Sequence, residues 1–274
     1  MLNFKPRKRF GQHFLNAHNC QRIVDTLTIQ PTDCLVEIGP GLGALTEKLL
    51  PLASQLVAIE LDRDLVIGLQ QRWEHQDKFC LYAADALDFD FSKLAKQMGK
   101  RLRIVGNLPY NIGTPLLFHL MQFIDNIQDI HVMLQKEVVD RLAATVGTPH
   151  YGRLSVMMQY HCQVQPLFRV PPGAFWPPPK VDSAVIKLLP WQTPPMIAQS
   201  PKLLTTVVRQ AFSQKRKTLR NSLRGLISWE RLLQLKINPQ HRPEQLSVED
   251  YIRLSNGLYQ LTLEKISYQE MQHA

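Results

Sequence analysis

Among the residues of this chain, those best suited to chemistry are Asn107-Leu108-Pro109-Tyr110. An exocyclic amine on an aromatic base shares its lone pair with the ring and is a poor nucleophile. Acceptors bonded to both of its N–H hydrogens favour a more pyramidal nitrogen, whose lone pair can attack. The Asn107 side-chain oxygen and the Leu108 carbonyl would supply that pair. Pro109 fixes the turn that aims the carbonyl, and Tyr110 offers a stacking face for an extruded base. Such a site suits methyl transfer to an amine like adenine N6, achieved by positioning rather than by a strong base.

A second constellation is Glu37-Ile38-Gly39-Pro40-Gly41-Leu42-Gly43. Glycines in such a turn let the backbone bend sharply and approach a ligand closely. Gly39-x-Gly41-x-x-Ala44 also fits the dinucleotide fingerprint. Glu60, about twenty residues on, can accept from ribose hydroxyls, which suits NAD and S-adenosylmethionine equally. Glu37 could face a cationic amino-acid portion but would repel a pyrophosphate. Asp85, in Ala84-Asp85-Ala86, could accept from an adenine amine. Acids at the ends of three successive strands describe an adenosine with a cationic sulfonium tail, although loop capping is the commoner fate of such acids.

The elements that must position these residues alternate between helical periodicity and short β-rich runs. Strands are predicted at 35–38, 56–61, 79–83, 103–105 and 130–134, with helices at 19–28, 44–52, 64–73 and 114–123. That order implies a parallel sheet covered on both faces. A helix at 151–160 and two closing strands at 163–170 and 181–189 follow. Trp191-Gln192-Thr193-Pro194-Pro195 reads as a linker. Beyond it the periodic segments are helical: 201–213 with a basic continuation to Arg224, then 229–236 and 247–266. The expected domains are 1–190, with 1–18 as a basic arm contributing to the site, and 191–274, a helical, basic RNA-binding domain.

Charge supports a polyanionic partner. Residues 1–24 hold Lys5, Arg7, Lys8, Arg9 and Arg22 and no acid; residues 191–229 hold Lys202, Arg209, Lys215, Arg216, Lys217, Arg220 and Arg224 and no acid. These positive charges outnumber the whole net charge of +9. The body of the chain is therefore slightly acidic, and the two basic segments look like an RNA footprint. They lack the adjoining apolar, aromatic face of a membrane-binding helix. Cys20, Cys34, Cys80 and Cys162 are scattered with no ligand-spaced His, so neither disulfides nor a metal site is expected. No signal-like or membrane-spanning apolar run occurs, and the expectation is a reduced, cytoplasmic protein.

At this point the chain resembles the ribosomal RNA adenine N6,N6-dimethyltransferases, in particular their bacterial small-subunit branch. The resemblance is carried by 7–15 (Arg-Lys-Arg-Phe-Gly-Gln-His-Phe-Leu), Glu37 to Thr46, Glu60-Leu61-Asp62, Asp85-Ala86 and Asn107 to Ile112. It continues through Leu134 to Val138, Tyr151 to Val156, Phe175 to Ala184, Arg209 to Phe212 and Arg216 to Leu223. It implies an α/β fold: a Rossmann-like, S-adenosylmethionine-dependent methyltransferase sheet with a small all-helical C-terminal domain. His13, Leu15, Gly39, Glu60, Asp85 and Asn107 would then bind S-adenosylmethionine. Asn107, Leu108, Pro109 and Tyr110 would act on the target base, with Phe175 stacking opposite Tyr110. Arg7, Lys8, Arg9, Lys215, Arg216, Lys217, Arg220 and Arg224 would bind RNA.

The implied substrate is two adjacent adenosines in the 3′-terminal hairpin loop of 16S rRNA, each dimethylated on an immature small (30S) subunit during ribosome biogenesis. Monomer is the default state, with no metal and no membrane partner. Two positions depart from the family pattern: His13 replaces a frequent Asn, and Gly113 replaces a frequent Ser. Rival readings are a macrolide-resistance-type 23S rRNA adenine methyltransferase, a non-catalytic ribosome-assembly or transcription factor, and, more distantly, a nicotinamide oxidoreductase.

Overall fold

The computed structural model describes residues 6–7, 11–214 and 216–272, with side chains described as far as residue 263. The chain runs through β1 (Phe14–Leu15), α1 (Ala17–Leu27), β2 (Cys34–Ile38), α2 (Thr46–Leu49), β3 (Gln55–Glu60), α3 (Arg63–Trp73) and β4 (Phe79–Ala83). It continues with α4 (Phe91–Met98), β5 (Leu102–Asn107), α5 (Gly113–Leu120), β6 (Ile127–Gln135), α6 (Lys136–Leu142) and α7 (Arg153–His161). Then come β7 (Cys162–Val170), β8 (Phe175–Trp176), β9 (Ser183–Pro190), α8 (Pro201–Phe212), α9 (Leu219–Ser222), α10 (Trp229–Gln234) and α11 (Val248–Gln272).

Seven strands form a sheet in the order β4-β3-β2-β5-β6-β9-β7. The pairs from β4 through β6 are parallel, and β9 lies antiparallel to β6. The sheet is therefore mixed: an antiparallel strand follows the predicted parallel core. Leu35, Val36, Leu56, Val57, Ile104 and Val105 are fully buried, as expected for central strands covered on both faces. The chain moves outward from β2 to β4, then returns to place β5 on the other side of β2. That reversal opens a crevice at the C-terminal ends of β2 and β5, where open α/β sheets bind ligands. The glycine turn follows β2, and Asn107 ends β5.

The N-terminal ends of the same strands are closed by an ion cluster. Arg103, at the start of β5, donates through Nε and Nη2 to both carboxylate oxygens of Asp129 at 3.0 and 2.7 Å. It also pairs with Asp33, which precedes β2. All three residues are buried, where a charge survives only if paired and hydrogen-bonded.

Two compact units divide the chain: Met1–Val139 with Gln163–Pro190, and Asp140–Cys162 with Trp191–Ala274. A single cut at 190 does not coincide with them, because 140–162 groups with the C-terminal helices. Within that unit Tyr151 meets Phe212 edge-on at 6.5 Å between ring centres, and Phe212 meets Tyr251 at 5.8 Å. Trp191, the start of the predicted linker, is anchored in the same unit. Its indole N–H donates to the Gln159 carbonyl at 3.0 Å.

The predicted basic helix from 201 to 224 is interrupted. Helix α8 ends at Phe212, and Thr218, with φ −69° and ψ 160°, is the extended N-cap of α9. Arg216 and Lys217 therefore lie in the connection. Among the described residues no helix is long and apolar enough to cross a membrane.

Candidate active site

Strand β2 delivers the glycine turn to the crevice. Gly39 and Gly41 have φ of +67° and +61°, a left-handed conformation that costs an L side chain energy and glycine none. A Cβ on Gly41 would also lie 3.0 Å from the Phe14 ring. The Gly41 N–H is thus free to point at β3, where it donates to Glu60 Oε2 at 3.1 Å. Glu60 Oε1 accepts from the N–H groups of Leu61 and Asp62, at 3.0 and 2.9 Å. These bonds fix the carboxylate and leave its open acceptor capacity on Oε2. Burial raises the Glu60 pKa above the ordinary carboxylate value even so.

Asp85 follows β4. Its Oδ1 caps the next turn by accepting from the Leu87 N–H at 2.9 Å. Capping and ligand recognition are compatible here, because a carboxylate has a second oxygen.

Glu37 behaves differently from the expectation of an ionised group facing a cation. It is 1% exposed, and the Thr46 hydroxyl donates to it at 2.6 Å. Burial pushes its carboxyl up to about 8, against the lowering effect of the Thr46 hydrogen bond.

The N-terminal arm closes one side of the crevice, through contacts that the sequence did not announce. Gln12 donates to Asp62 at 2.9 Å, and Arg7 pairs with Asp62 at the same distance and with Asp64. Asp62 itself caps α3. The Arg7 charge is thereby paired within the fold and anchors the arm. Lys8, Arg9 and Lys215 lie outside the described residues. Arg216, Lys217, Arg220 and Arg224 are exposed in the C-terminal unit.

The arm's most consequential contact is with the segment Asn107-Leu108-Pro109-Tyr110. Asn107 donates its side-chain N–H to the His13 carbonyl at 2.8 Å. An amide so held must turn its oxygen the other way, as an acceptor offered to the crevice. The Pro109 carbonyl accepts from the N–H groups of Ile112 and Gly113, both at 3.1 Å, and so starts α5. The turn is closed by Pro109, not by the Leu108 carbonyl that substrate would use. Gly113 is buried at the start of α5, and a Cβ there would come within 2.6 Å of Leu134 Cδ2. The smaller residue is matched by a leucine filling its space.

The Tyr110 ring stacks on His13 at 5.5 Å between centres, and its hydroxyl bonds the Ser183 hydroxyl at 2.6 Å. Nδ1 of His13 donates to the Pro177 carbonyl at 2.7 Å. His13 thus orients Tyr110 with its ring and Asn107 with its backbone.

One cavity is lined by His13, Leu15, Gly39, Glu60, Asp85 and Asn107, together with Leu108, Pro109, Tyr110 and Glu37. Phe175 does not line it. Its side chain is 6% exposed and packs in the core with Leu15, its partner across the β1–β8 pair. The neighbouring Trp176 is the exposed ring, stacked on Phe14.

The lining bears three carboxylates and, among the described residues, no Lys or Arg. Glu60 and Asp85, with no cation beside them in this lining, disfavour a pyrophosphate and fit an adenosine bearing a cationic sulfonium. Among the described residues no group of three His, Cys, Asp or Glu could hold a metal ion.

Comparison with known proteins identifies the family. A family model described as ribosomal RNA adenine dimethylase matches residues 3–260. The ribosomal RNA small subunit methyltransferase A of Pseudomonas aeruginosa is 52% identical over 95% of this chain and 97% of its own length. The protein of the same description from Aliivibrio salmonicida is 51% identical over 94% of this chain and 93% of its own. Among solved structures, a dimethyladenosine transferase from Plasmodium falciparum superposes with a TM-score of 0.76 at 28% identity, covering 88% of this chain and 96% of its own. The 23S rRNA methyltransferase ErmE shares the fold, with a TM-score of 0.68 at 23% identity over 89% of this chain and 99% of its own.

Proposed function

This chain belongs to the family of ribosomal RNA adenine dimethylases, and from that premise we propose that it dimethylates small-subunit rRNA. The substrate is two adjacent adenosines in the 3′-terminal hairpin loop of 16S rRNA, presented on an immature 30S subunit. S-adenosylmethionine, when bound, supplies the methyl group on a positively charged sulfur.

This chain's residues supply the positioning. Glu60 Oε2 accepts from a ribose hydroxyl, and the free oxygen of Asp85 accepts from the adenine amine of the cofactor. The target amine is held by Asn107 Oδ1 and the Leu108 carbonyl, against Tyr110. Both acceptors draw on N–H hydrogens, which frees the nitrogen lone pair for in-line attack. The single observation that carries this reading is the Asn107–His13 bond, because it commits the amide to acceptor duty before substrate arrives. Phe175 would join Tyr110 only after leaving the core, so Tyr110 alone is assigned the stacking role here.

The test is methyl transfer from labelled S-adenosylmethionine to small subunits lacking the modification, with large subunits in parallel and nucleoside analysis afterwards. Dimethyladenosine in the small subunit alone is the expected result. Methylation of the large subunit alone would replace this reading with the resistance-type one. Binding without methylation would leave an assembly factor.

A further inference from the structure

The C-terminal unit contains a hollow of about 750 Å³ that the methyl-transfer site does not use. Arg220, Asn221, Arg224, Ser228, Trp229 and Gln240 line it, and no acidic residue does. Its walls are built in advance. The Leu219 and Arg220 N–H groups donate to the carbonyls of His241 and Pro239, at 2.8 and 3.0 Å, which ties the arginine-bearing segment to the loop carrying Gln240. The Gln210 amide donates to the Ser222 carbonyl at 3.0 Å and fixes α9 from behind.

Trp229 is 45% exposed, a large apolar ring left partly in water. The guanidinium carbon of Arg220 lies 5.8 Å from its ring centre. Such a pair stabilises a surface modestly by cation–π attraction, and that alone is a sufficient account of many exposed tryptophans. Three further features go beyond it. A second arginine, Arg224, lines the same hollow; so do Asn221, Ser228 and Gln240, polar groups able to meet a base edge or a ribose; and the stretch from 191 to 229 is free of acids. An aromatic face beside arginines in an acid-free groove is the chemistry of a single-stranded nucleotide site.

We infer that this hollow docks an unpaired nucleotide of the RNA, its base against Trp229 and its flanking phosphates on Arg220 and Arg224. This is a docking point distinct from the methylated adenosine's, and it rests on the reading of the C-terminal unit as RNA-binding. A fully paired helix offers the arginines phosphates but gives Trp229 no free base. Unpaired nucleotides are therefore the class of target that the ring selects.

The full chain would be titrated with two RNA hairpins alike in stem and length, one carrying a single unpaired purine and the other fully paired. Trp229→Ala should weaken binding of the first about tenfold, as loss of one base stack does. It should leave the second unchanged, and the salt dependence of both should stay as it was. Trp229→Phe should recover most of the loss, which separates stacking from any general effect on folding. A double variant outside the hollow, Arg216→Gln with Lys217→Gln, should weaken both RNAs alike. Equal binding by Trp229→Ala and the unchanged protein, with the double variant still impaired, would overturn the inference and leave the RNA-binding reading standing. Equal loss on both RNAs in Trp229→Ala would also overturn it. No binding of either RNA by the unchanged protein would sink both.

Discussion

At the N-terminal edge of the sheet, Asp33 and Asp129 share Arg103; at the C-terminal edge, Glu37, Glu60 and Asp85 line a cavity with no Lys or Arg among the described residues. Both sets belong to one sheet, so the scaffold is common and only the compensation differs. The lower carboxylates are held by a buried cation and serve stability. Of the upper ones, Glu60 and Asp85 are held by backbone N–H groups and keep acceptor capacity for a ligand, while burial favours the protonated form of Glu37. Uncompensated acids at one end of a sheet, beside compensated ones at the other, mark which end is built for binding.

Breaking the lower edge should have the largest effect on stability. Arg103→Met leaves two buried carboxylates without their cation, and should cost about 3–5 kcal/mol of folding free energy. Urea denaturation reads that loss. Activity per folded molecule should change little, and a variant as stable as the parent would dissolve the contrast.

The upper edge can be sharpened through pH. The Glu37 carboxyl is pushed from its ordinary 4.5 up to about 8 by burial. Between those values the folded chain keeps a proton that the unfolded chain has lost. Its contribution to stability is therefore full below about pH 4.5 and declines as pH rises to about 8. Glu37→Gln should flatten that part of the Tm-against-pH curve for the cofactor-free protein. An unaltered curve would mean that Glu37 is ionised throughout.

The smallest effect concerns the exposed cations. Arg216→Gln with Lys217→Gln should lower the slope of log affinity against log salt by roughly one to two, the loss of two phosphate contacts. An unchanged slope would place that connection off the RNA.

The site was more legible in the sequence than its supports. Gly39, Glu60, Asp85 and Asn107 sit at or just past the ends of strands that periodicity locates, so motif and element announced each other. Roles that depend on distant partners were not legible. Arg7 belongs to a basic run in sequence, yet Asp62 and Asp64, more than fifty residues away, neutralise it in space. Glu37 looks like a free acid until the packing around β2 buries it. The antiparallel pairing of β9 with β6 leaves no mark on an apolar strand, because parallel and antiparallel pairing bury the same side chains. Helix α4 escaped notice although Asp90 caps its start, accepting from the Ser92 and Lys93 N–H groups, and Gly99 ends it in the left-handed conformation. Phe91, Leu94 and Ala95 are buried along one face, so its spacing as well as its caps marked it in the sequence.

The central claim is that the His13 carbonyl turns Asn107 into an acceptor that acts on the amine in the transition state. Asn107→Ala tests it most directly, with S-adenosylmethionine affinity and methyl transfer to unmodified small subunits measured on the same preparation. The account predicts affinity within about tenfold of the parent and a rate lower by about 100-fold or more, as expected when a transition-state contact is lost. Equal losses of affinity and rate would contradict it, and would make Asn107 a cofactor ligand alone.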